Sequence, residues 1–378
     1  MVEAAAPFRD AAVGQVDGIP IRNLWLLMLY ASDLFHHAGK ADRLAAEENP
    51  DDIPDLVAEI LAHEAETRLR RNLTYGYQPK WAVLNRVRGR IDVLETATRQ
   101  LLARGAVACR FEHLTVDTSR NQFVRAALEA IAGIVRQDTL AHRCRALAVS
   151  LDRLGVTKRR PSRAEIGTER FNRHDAHDQV MVGAAELAFA LLLPTETVGR
   201  IRMTLPARDS AWIRHLFERA VGGFYNVVLP AQGWKVNTGR YLDWPVEAQT
   251  SGLDAILPKM KTDIILDHVE MGRRIVIDTK FTAMLTRRKI GSDEIVRLKS
   301  DYLYQLYAYL RSQEGRGDPL ADRAAGLLLH PSVGEMMDET AVIQGHAIRF
   351  ATVDLAASTQ EIRAQLLQMA ELPALPPA

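Results

Sequence analysis

The spacing of hydrophobic and polar residues changes along the chain. In the first part apolar residues follow helical spacing, and residues 20–37 and 51–70 are predicted to form helices that pack against a core. After Gly233, short β-rich runs alternate with helical stretches. The predicted strands lie at 234–238, 261–267, 274–281, 324–330 and 342–349, and the predicted helices between and after them lie at 293–313 and 357–370. This alternation predicts an α/β fold with a mixed central sheet flanked by helices.

The first part also contains a strand pattern. Residues 79–92 alternate apolar and basic side chains and predict a twisted strand or hairpin with a bend at Gly89. Residues 106–114 are the predicted partner strand. The charged, proline-broken segment 156–165 is interpreted as a linker. The sequence therefore predicts an N-terminal α+β domain over residues 1–160 and a second domain over residues 161–378.

Composition narrows the class of protein without identifying it. The net charge is +1, hydrophobic content is 47% and charged content is 25%, as in ordinary globular proteins. Two cysteines without metal-type spacing argue against a disulfide framework, a zinc finger or an iron–sulfur cluster, and fit a reducing cytosol. The start shows no signal-peptide pattern, and the apolar run 24–30 is too short to span a bilayer. We therefore expect a cytoplasmic protein that does not associate with membranes.

The most specific candidate chemistry lies between Met260 and Phe281. Two β-rich segments each contain an acidic residue, Asp263 and Asp278, and Lys280 follows two positions after the second. Alternation along a strand puts Asp278 and Lys280 on one face. Two carboxylates and a lysine on adjacent strands suit a divalent metal ion and an activated water. A solvated ion pair at a strand end is the alternative interpretation, and the motif taken alone leaves both open.

Polar residues on the flanking helices fit the same site. Glu218 lies on the predicted helix before the two strands, where a third carboxylate could reach the metal ion. A surface carboxylate on an amphipathic helix is the alternative for this residue. Gln305 and Tyr309 are four residues apart on the helix after the strands, so they share one face of that helix.

This order of residues resembles the PD-(D/E)xK nuclease superfamily, in which a helix with Glu precedes a strand with Asp, a strand with Asp-x-Lys and a further helix. The Gln-x-x-x-Tyr spacing is similar to a motif of its RecB-like branch. Further blocks resemble the McrC family, the endonuclease subunits of McrBC-type, modification-dependent restriction systems. These blocks read P-I-R-N-L-W-L-L-M-L-Y-A, V-R-G-R-I-D, F-E-H-L-T-V-D-T-S-R-N-Q, L-F-E-R-A-V, M-K-T-D-I-I-L, I-D-T-K-F and D-Y-L-Y-Q-L-Y-A-Y.

The resemblance implies a metal-dependent deoxyribonuclease with a restriction-endonuclease-like second domain. Asp263 and Asp278 would hold Mg²⁺, with Mn²⁺ as the alternative cation. The carbonyl of Thr279 would be an extra ligand, and Glu218 would complete the set. Lys280 would orient or help deprotonate the attacking water and offset charge on the phosphate.

The remaining implied roles concern phosphate and DNA. Gln305 would position the water or a phosphate oxygen, and Tyr309 would support it and contact DNA. The basic run Arg287, Arg288 and Lys289 is a candidate DNA contact because it follows the catalytic strand, although such runs are usually solvated faces.

Two other sets of polar residues have less specific interpretations. Arg86, Arg88 and Arg90 are predicted to line one strand face, and both DNA contact and docking to a partner stay open as their role. In the segment H-D-A-H-D at 174–178, the histidines lack a third rigid ligand, so Asp175 or Asp178 is interpreted as a helix cap.

The resemblance also implies a partner. McrC-like subunits work with McrB, a hexameric AAA+ GTPase, in defence against foreign or modified DNA. The sequence contains no G-x-x-x-x-G-K-[ST] loop, so any NTP-driven step needs a separate protein. Two alternatives stay open: a non-catalytic adaptor that activates an AAA+ GTPase, and a RecB-like nuclease of another DNA repair or defence system.

Overall fold

The computed structural model of the chain describes most of its residues. The described ranges are 14–37, 39–71, 73–167, 176–199, 208–280, 285–290, 293–334 and 336–371. Within these ranges no helix is long and apolar enough to span a membrane.

The chain divides into two compact units. The first comprises residues 54–192 of the described chain, and the second comprises the segment up to residue 53 together with the chain from residue 193. This division differs from the predicted boundary at residue 160. Residues 156–165 lie inside the first unit, where the Thr157 amide donates to the Asp117 carboxylate at 2.7 Å. Gln122 donates to the Thr157 hydroxyl at 3.0 Å, so hydrogen bonds hold the start of this segment.

The first segment of the second unit is built around a buried helix. Its elements are β1 (Gln15–Val16), β2 (Ile19–Pro20), α1 (Ile21–Tyr30), α2 (Asp33–His37) and α3 (Lys40–Glu48). Helix α1 begins directly after Pro20 and is buried at every position except Arg22. The Asn23 side chain donates to the carbonyls of Leu355 and Ala357 at 2.7 and 3.0 Å. The predicted core helix is thus present, and it belongs to the second unit.

The first unit combines helices with a small antiparallel sheet. Its elements are α4 (Ile53–Arg71), β3 (Gly76–Leu84), β4 (Arg90–Ile91), α5 (Val93–Thr98), β5 (Val107–Thr115), α6 (Ser119–Ile131), α7 (Asp138–Arg153), α8 (Arg163–Gly167) and α9 (Ala176–Gly199), the last of which continues into the second unit. The strand order is β3-β5-β4, as expected for the predicted strand pair with a bend at Gly89, whose φ is +66°.

A buried aspartate connects helices of the first unit. Asp178, in the first turn of α9, is fully buried and pairs with Arg68 of α4 and Arg120 of α6. Its carboxylate accepts hydrogen bonds from Arg68 at 2.7 Å, the Thr74 hydroxyl at 2.7 Å and Arg120 at 2.5 Å. Burial raises the pKa of Asp178, but these donors outweigh burial and the pKa is lowered.

The rest of the second unit forms the α/β layer. Its elements are α10 (Arg208–Val228), β6 (Lys235–Thr238), β7 (Tyr241–Leu242), β8 (Met260–Lys261), β9 (Ile264–His268), β10 (Arg273–Thr279), β11 (Leu285–Ile290), β12 (Asp293–Leu298), α11 (Ser300–Gln313), α12 (Pro319–Asp322), β13 (Ala325–Ser332), β14 (Asp338–Ile343), β15 (His346–Asp354) and α13 (Thr359–Met369). Short 3-10 helices lie at Pro50–Asp52, Leu101–Arg104, Leu229–Gln232 and Leu253–Ala255.

Six strands form the central sheet in the order β14-β15-β13-β10-β9-β6. Strand β13 runs parallel to β10 and β15, and the other neighbouring pairs are antiparallel. The predicted mixed central sheet flanked by helices is therefore confirmed.

Two predicted element boundaries are wrong. Residues 293–298 form β12, paired with β11, and the helix predicted over 293–313 begins at Ser300. The single strand predicted at 342–349 is a hairpin of β14 and β15. Its turn residues Gln344 and Gly345 have φ of +47° and +87°, and positive φ at both positions is the requirement of a two-residue hairpin turn.

Close helix contacts fix the elements around the sheet. A Cβ at Gly326 of β13 would lie 2.9 Å from Leu306 of α11, so glycine lets that helix approach the sheet. A Cβ at Gly223 of α10 would lie 2.0 Å from the Tyr30 carbonyl oxygen of α1, which excludes any larger residue there. These contacts position α10 and α11, the two helices that contain Glu218 and Gln305.

Candidate active site

The register of the central strands brings Asp263 and Asp278 to one edge of the sheet. Ile264 of β9 pairs with Ile277 of antiparallel β10, so the next residues outward are Asp263 and Asp278. Asp263 lies between β8 and β9 rather than within a strand. Its carboxylate accepts hydrogen bonds from the backbone amide and hydroxyl of Thr279 at 2.7 and 2.8 Å.

Asp278 is fully buried and incompletely paired. One carboxylate oxygen, Oδ1, accepts a hydrogen bond from Lys280 Nζ at 2.9 Å, as expected for side chains on one face. The other oxygen, Oδ2, is buried and has no hydrogen-bond partner among the described residues. Burial raises the pKa of Asp278 to about 7, against the opposing charge of Lys280, and the nearby carboxylates of Asp263 and Glu218 add to the rise.

Lys280 stays protonated at this site. Burial lowers its pKa, but the Asp278 carboxylate outweighs burial and the net pKa is raised. Its ammonium also lies 5.6 Å from the centroid of the Tyr302 ring, and Lys299 lies at 5.6 Å from the same ring. The α11 helix thus helps to hold the ammonium beside Asp278.

Glu218 lies close enough to Asp263 for the two carboxylates to interact electrostatically. Burial raises the pKa of this half-buried carboxyl, and the charge of Asp263 raises it further. Glu218 and Asp263 line one pocket, together with Asp33 and His36 of α2. The contribution of α2 to this pocket is not predicted from the sequence, because α2 lies in a segment predicted to belong to the other domain.

Gln305 and Tyr309 lie at the same edge. Gln305 Nε2 donates to the Tyr309 hydroxyl at 2.5 Å, and that hydroxyl donates to the Lys261 carbonyl at 2.8 Å. Burial raises the pKa of Tyr309, the hydrogen bond from Gln305 opposes the rise, and the charges of Asp278 and Asp263 add to it. The structure therefore brings the predicted helix face next to the two aspartates.

The two sets of basic residues singled out in the sequence lie in different parts of the chain. Arg287, Arg288 and Lys289 lie on β11, paired with β12, but their side chains are outside the described residues. Arg86 and Arg88 lie in the connection from β3 to β4, and only Arg90 is in a strand, so the prediction that all three line one strand face is wrong. The Gly89 bend breaks the strand there, and Arg88 lies over the Phe111 ring at 4.2 Å.

The residues present fit a hard divalent cation, for which the carboxylates of Asp263 and Asp278 would be the protein ligands. In the described part of the chain, no three His, Cys, Asp or Glu side chains are arranged to hold a metal ion. Asp278, however, has a buried oxygen without a partner and a raised pKa, and a bound cation would relieve both. The oxygen donors of Asp263 and Asp278 are the ligand type that Mg²⁺ prefers.

The fold and site define an α/β protein with two aspartates and a lysine at the edge of a mixed sheet. Comparison with known proteins finds similar components of restriction systems. Residues 10–194 match the family model described as McrBC 5-methylcytosine restriction system component. The chain is also 23% identical over 354 residues to the type IV methyl-directed restriction enzyme EcoKMcrBC of Escherichia coli (strain K12), covering 93% of this chain and 97% of the relative. These matches confirm the predicted resemblance to components of McrBC-type restriction systems.

Two solved structures from Thermococcus gammatolerans are also similar. One is a half-complex from a tetradecameric assembly of McrB AAA+ hexamers with bound McrC, with 15% identity, a TM-score of 0.41 and coverage of 93% of this chain and 76% of that chain. The other is the McrBC complex determined by cryo-EM, with 14% identity, a TM-score of 0.32 and coverage of 45% of this chain and 50% of that chain. The candidate site residues lie beyond the range that the family model matches.

Proposed function

We propose that the chain is a cytoplasmic, Mg²⁺-dependent DNA endonuclease subunit of a McrBC-type restriction system. The observation that carries the proposal is the buried Asp278 carboxylate. One of its oxygens accepts a hydrogen bond from Lys280, and the other has no hydrogen-bond partner in the described part of the chain. Buried charge of this kind is costly for the fold and is typical of sites that bind cations or do chemistry. The family match to restriction system components supports the same conclusion.

The two aspartates would hold the cation, and Thr279 keeps one of them in place. Thr279 donates twice to Asp263 Oδ2, which fixes the direction of that carboxylate. A bound Mg²⁺ would supply a water of lowered pKa and neutralise phosphate charge. The second oxygen of Asp278 is the position where a cation would replace a missing partner.

Lys280 would act on the phosphate and on the attacking water. Its ammonium has three N–H donors, and one of them is used by Asp278 Oδ1 at 2.9 Å. The other two are available to orient a water or to bond a phosphate oxygen as negative charge develops. Because Asp278 keeps the pKa of Lys280 raised, the group acts as a cation.

Gln305 and Tyr309 of α11 would position the attacking water and the backbone near Asp263. The hydroxyl of Tyr309 binds the Lys261 carbonyl, which lies two residues before Asp263. The Tyr309 hydroxyl also accepts a hydrogen bond from the Gln305 amide, and the carbonyl oxygen of that amide could orient a water. Small displacements of such groups reduce rates strongly, because reacting atoms must lie near contact distance.

The motor for this subunit would be a separate McrB-like AAA+ hexamer that hydrolyses GTP. The sequence has no phosphate-binding loop of its own. In the T. gammatolerans complex, McrC is bound to McrB AAA+ hexamers. We propose the same kind of partner here, with DNA as the substrate of the assembled complex.

The proposal is tested by reconstituting cleavage. The purified chain is mixed with its McrB-like partner and DNA containing 5-methylcytosine, and GTP, Mg²⁺ or either protein is omitted in turn. We expect cutting only in the complete mixture. If the chain raises GTP turnover but DNA stays intact in the complete mixture, the non-catalytic adaptor is correct and the nuclease proposal fails. Cutting that needs no GTP and no partner would favour an independent nuclease.

A further inference from the structure

A short hairpin next to Asp263 presents one apolar face and one cationic, aromatic face. Strands β7 and β8 pair antiparallel, with Tyr241 opposite Lys261 and Leu242 opposite Met260. Leu242 and Met260 are buried in the core cluster under α11. Alternation along the strands therefore turns Tyr241 and Lys261 toward solvent, and Tyr241 is 62% exposed.

Two ammonium groups flank the exposed tyrosine ring. Lys259 Nζ and Lys261 Nζ each lie 5.8 Å from the ring centroid of Tyr241. Lys261 also extends across Gly239, where a Cβ would lie 3.2 Å from Lys261 Cε. An exposed aromatic ring between cations is the combination by which proteins bind single nucleic-acid strands without regard to sequence.

Backbone hydrogen bonds connect this hairpin directly to the candidate active site. The Gly239 amide donates to the Asp263 carbonyl at 2.8 Å, and the Thr262 amide donates to the Arg240 carbonyl at 2.9 Å. The charge of Lys261 lowers the pKa of Glu218, although burial has the larger, opposite effect. This interaction indicates that the Lys261 ammonium lies near the Glu218 carboxylate. A strand lying on Tyr241 would thus run past Asp263.

We propose that Tyr241, Lys259 and Lys261 receive the DNA strand beside the scissile phosphate, with an unpaired base stacked on Tyr241 and neighbouring phosphates bound by the two lysines. The inference rests on the proposed nuclease function and specifies the form of its substrate. A base inside a duplex is already stacked on its neighbours, so it cannot stack on a protein ring. The face therefore selects single-stranded or locally opened DNA.

Binding of the full-length chain to labelled oligonucleotides tests the stacking step. Fluorescence anisotropy is measured in EDTA, so that no DNA is cut. We expect Tyr241→Leu to weaken binding of a single strand by about tenfold, the scale of losing one stacked base. Tyr241→Phe keeps the aromatic ring on which the base would stack. Its affinity for a single strand should therefore stay within about twofold of the wild-type value. Duplex binding should be nearly unchanged by both.

Three results would overturn the stacking step. Tyr241→Leu could bind a single strand as wild type does. Tyr241→Phe could lose as much affinity as Tyr241→Leu, which would assign the effect to the hydroxyl. Duplex binding could fall as much as single-strand binding, which would remove the selectivity for unpaired bases.

The lysines are tested by salt dependence. Each phosphate contact on a single strand contributes about 0.7 to the slope of log affinity against log salt, so Lys259→Gln and Lys261→Gln should each reduce it by about that amount. The matched control is Lys235, an exposed lysine of β6. It lies opposite Asp267 in the strand register, and Asp267 is at the far end of β9 from Asp263. Lys235→Gln should leave the slope unchanged, and an equal effect of all three substitutions would refute a specific surface.

The outcome separates this inference from the proposed function. Binding in EDTA needs neither cutting nor a partner, so the predicted losses can appear in a chain that never cleaves DNA. That result would support the surface and refute the nuclease. A complex that cuts normally, with Tyr241→Leu binding single strands as wild type does, would support the nuclease and refute the surface.

Discussion

Two buried aspartates, one in each compact unit, have opposite surroundings. Asp178 and Asp278 are both fully buried. Asp178 pairs with two arginines and a threonine hydroxyl, and its pKa is lowered. Within the described ranges, Asp278 has Lys280 as its hydrogen-bond donor and one buried oxygen without a hydrogen bond, and its pKa is raised to about 7.

The difference distinguishes a structural carboxylate from the carboxylate that we propose to be functional. A buried charge costs free energy unless paired and hydrogen-bonded groups replace the lost water. At Asp178 the protein supplies those groups: Oδ2 accepts three hydrogen bonds, and Oδ1, which accepts none from the described residues, is ion-paired with Arg68 Nε. The carboxylate therefore connects α4, α6 and α9. At Asp278 the set is incomplete, and the missing partner is what a cation would provide. Burial alone therefore does not indicate function. The difference is in compensating charge, two arginines at Asp178 against one lysine at Asp278, and only at Asp278 is the net pKa raised.

The largest effect on stability is expected at Asp178. Asp178→Asn keeps the shape but leaves Arg68 and Arg120 without their counter-charge, so the free energy of unfolding should fall by about 3–5 kcal/mol. Denaturant unfolding of the full-length chain measures this. Asp278→Asn is the matched change and should not destabilise the protein, because it removes a poorly paired charge. Equal destabilisation by both variants would abolish the distinction.

The next largest effect is on cutting and concerns Lys280. Lys280→Met should reduce the cleavage rate of the reconstituted complex by about 10²–10³-fold, the scale of losing one group that stabilises developing charge. Lys299→Met is the control. Lys299 lies over the same Tyr302 ring at the same 5.6 Å, whereas among the described residues it is Lys280 that donates to Asp278. Similar losses in both variants would assign the effect to the Tyr302 contact.

Acid should reduce the stabilisation contributed by Asp178. Its native pKa lies below the ordinary value of 3.8, so its contribution is fully present above that value and is lost as pH falls through the native pKa. We therefore expect the difference in unfolding free energy between wild type and Asp178→Asn to shrink in strong acid. Unfolding curves at a series of pH values measure this difference, and a gap that stays constant would mean that another group titrates.

The smallest effect is expected at Tyr309. Tyr309→Phe removes the hydrogen bond to the Lys261 carbonyl, worth about 0.5–1.5 kcal/mol. Stability and cleavage rate should each change by an amount of this size, up to about tenfold in rate. A loss of cutting as large as that of Lys280→Met would show that the hydroxyl takes part in the chemistry.

Local patterns predicted the elements and the order of the site residues. Alternation along β10 put Asp278 and Lys280 on one face, and four-residue spacing put Gln305 beside Tyr309, because both relations depend only on backbone periodicity. The core helix α1 follows from its apolar run after Pro20. The site assignment itself stays a prediction that the geometry supports.

Contacts between residues far apart in the sequence cannot be predicted from these local patterns. Nothing local indicates that the segment before residue 54 packs into the second unit, since that depends on contacts such as Asn23 with the Leu355 carbonyl. Asp178 was interpreted as a helix cap, but arginines from two distant helices surround it. The cationic face of Tyr241 was missed because Lys259 and Lys261 are near it only once β7 and β8 pair.

The most direct test is DNA cleavage by Asp278→Asn in the reconstituted complex with Mg²⁺ and GTP. We expect cutting to disappear, while the free energy of unfolding is not reduced and GTP turnover by the partner is still stimulated. This result would identify Asp278 as a carboxylate kept for chemistry. Cutting at the wild-type rate by this variant would contradict the account.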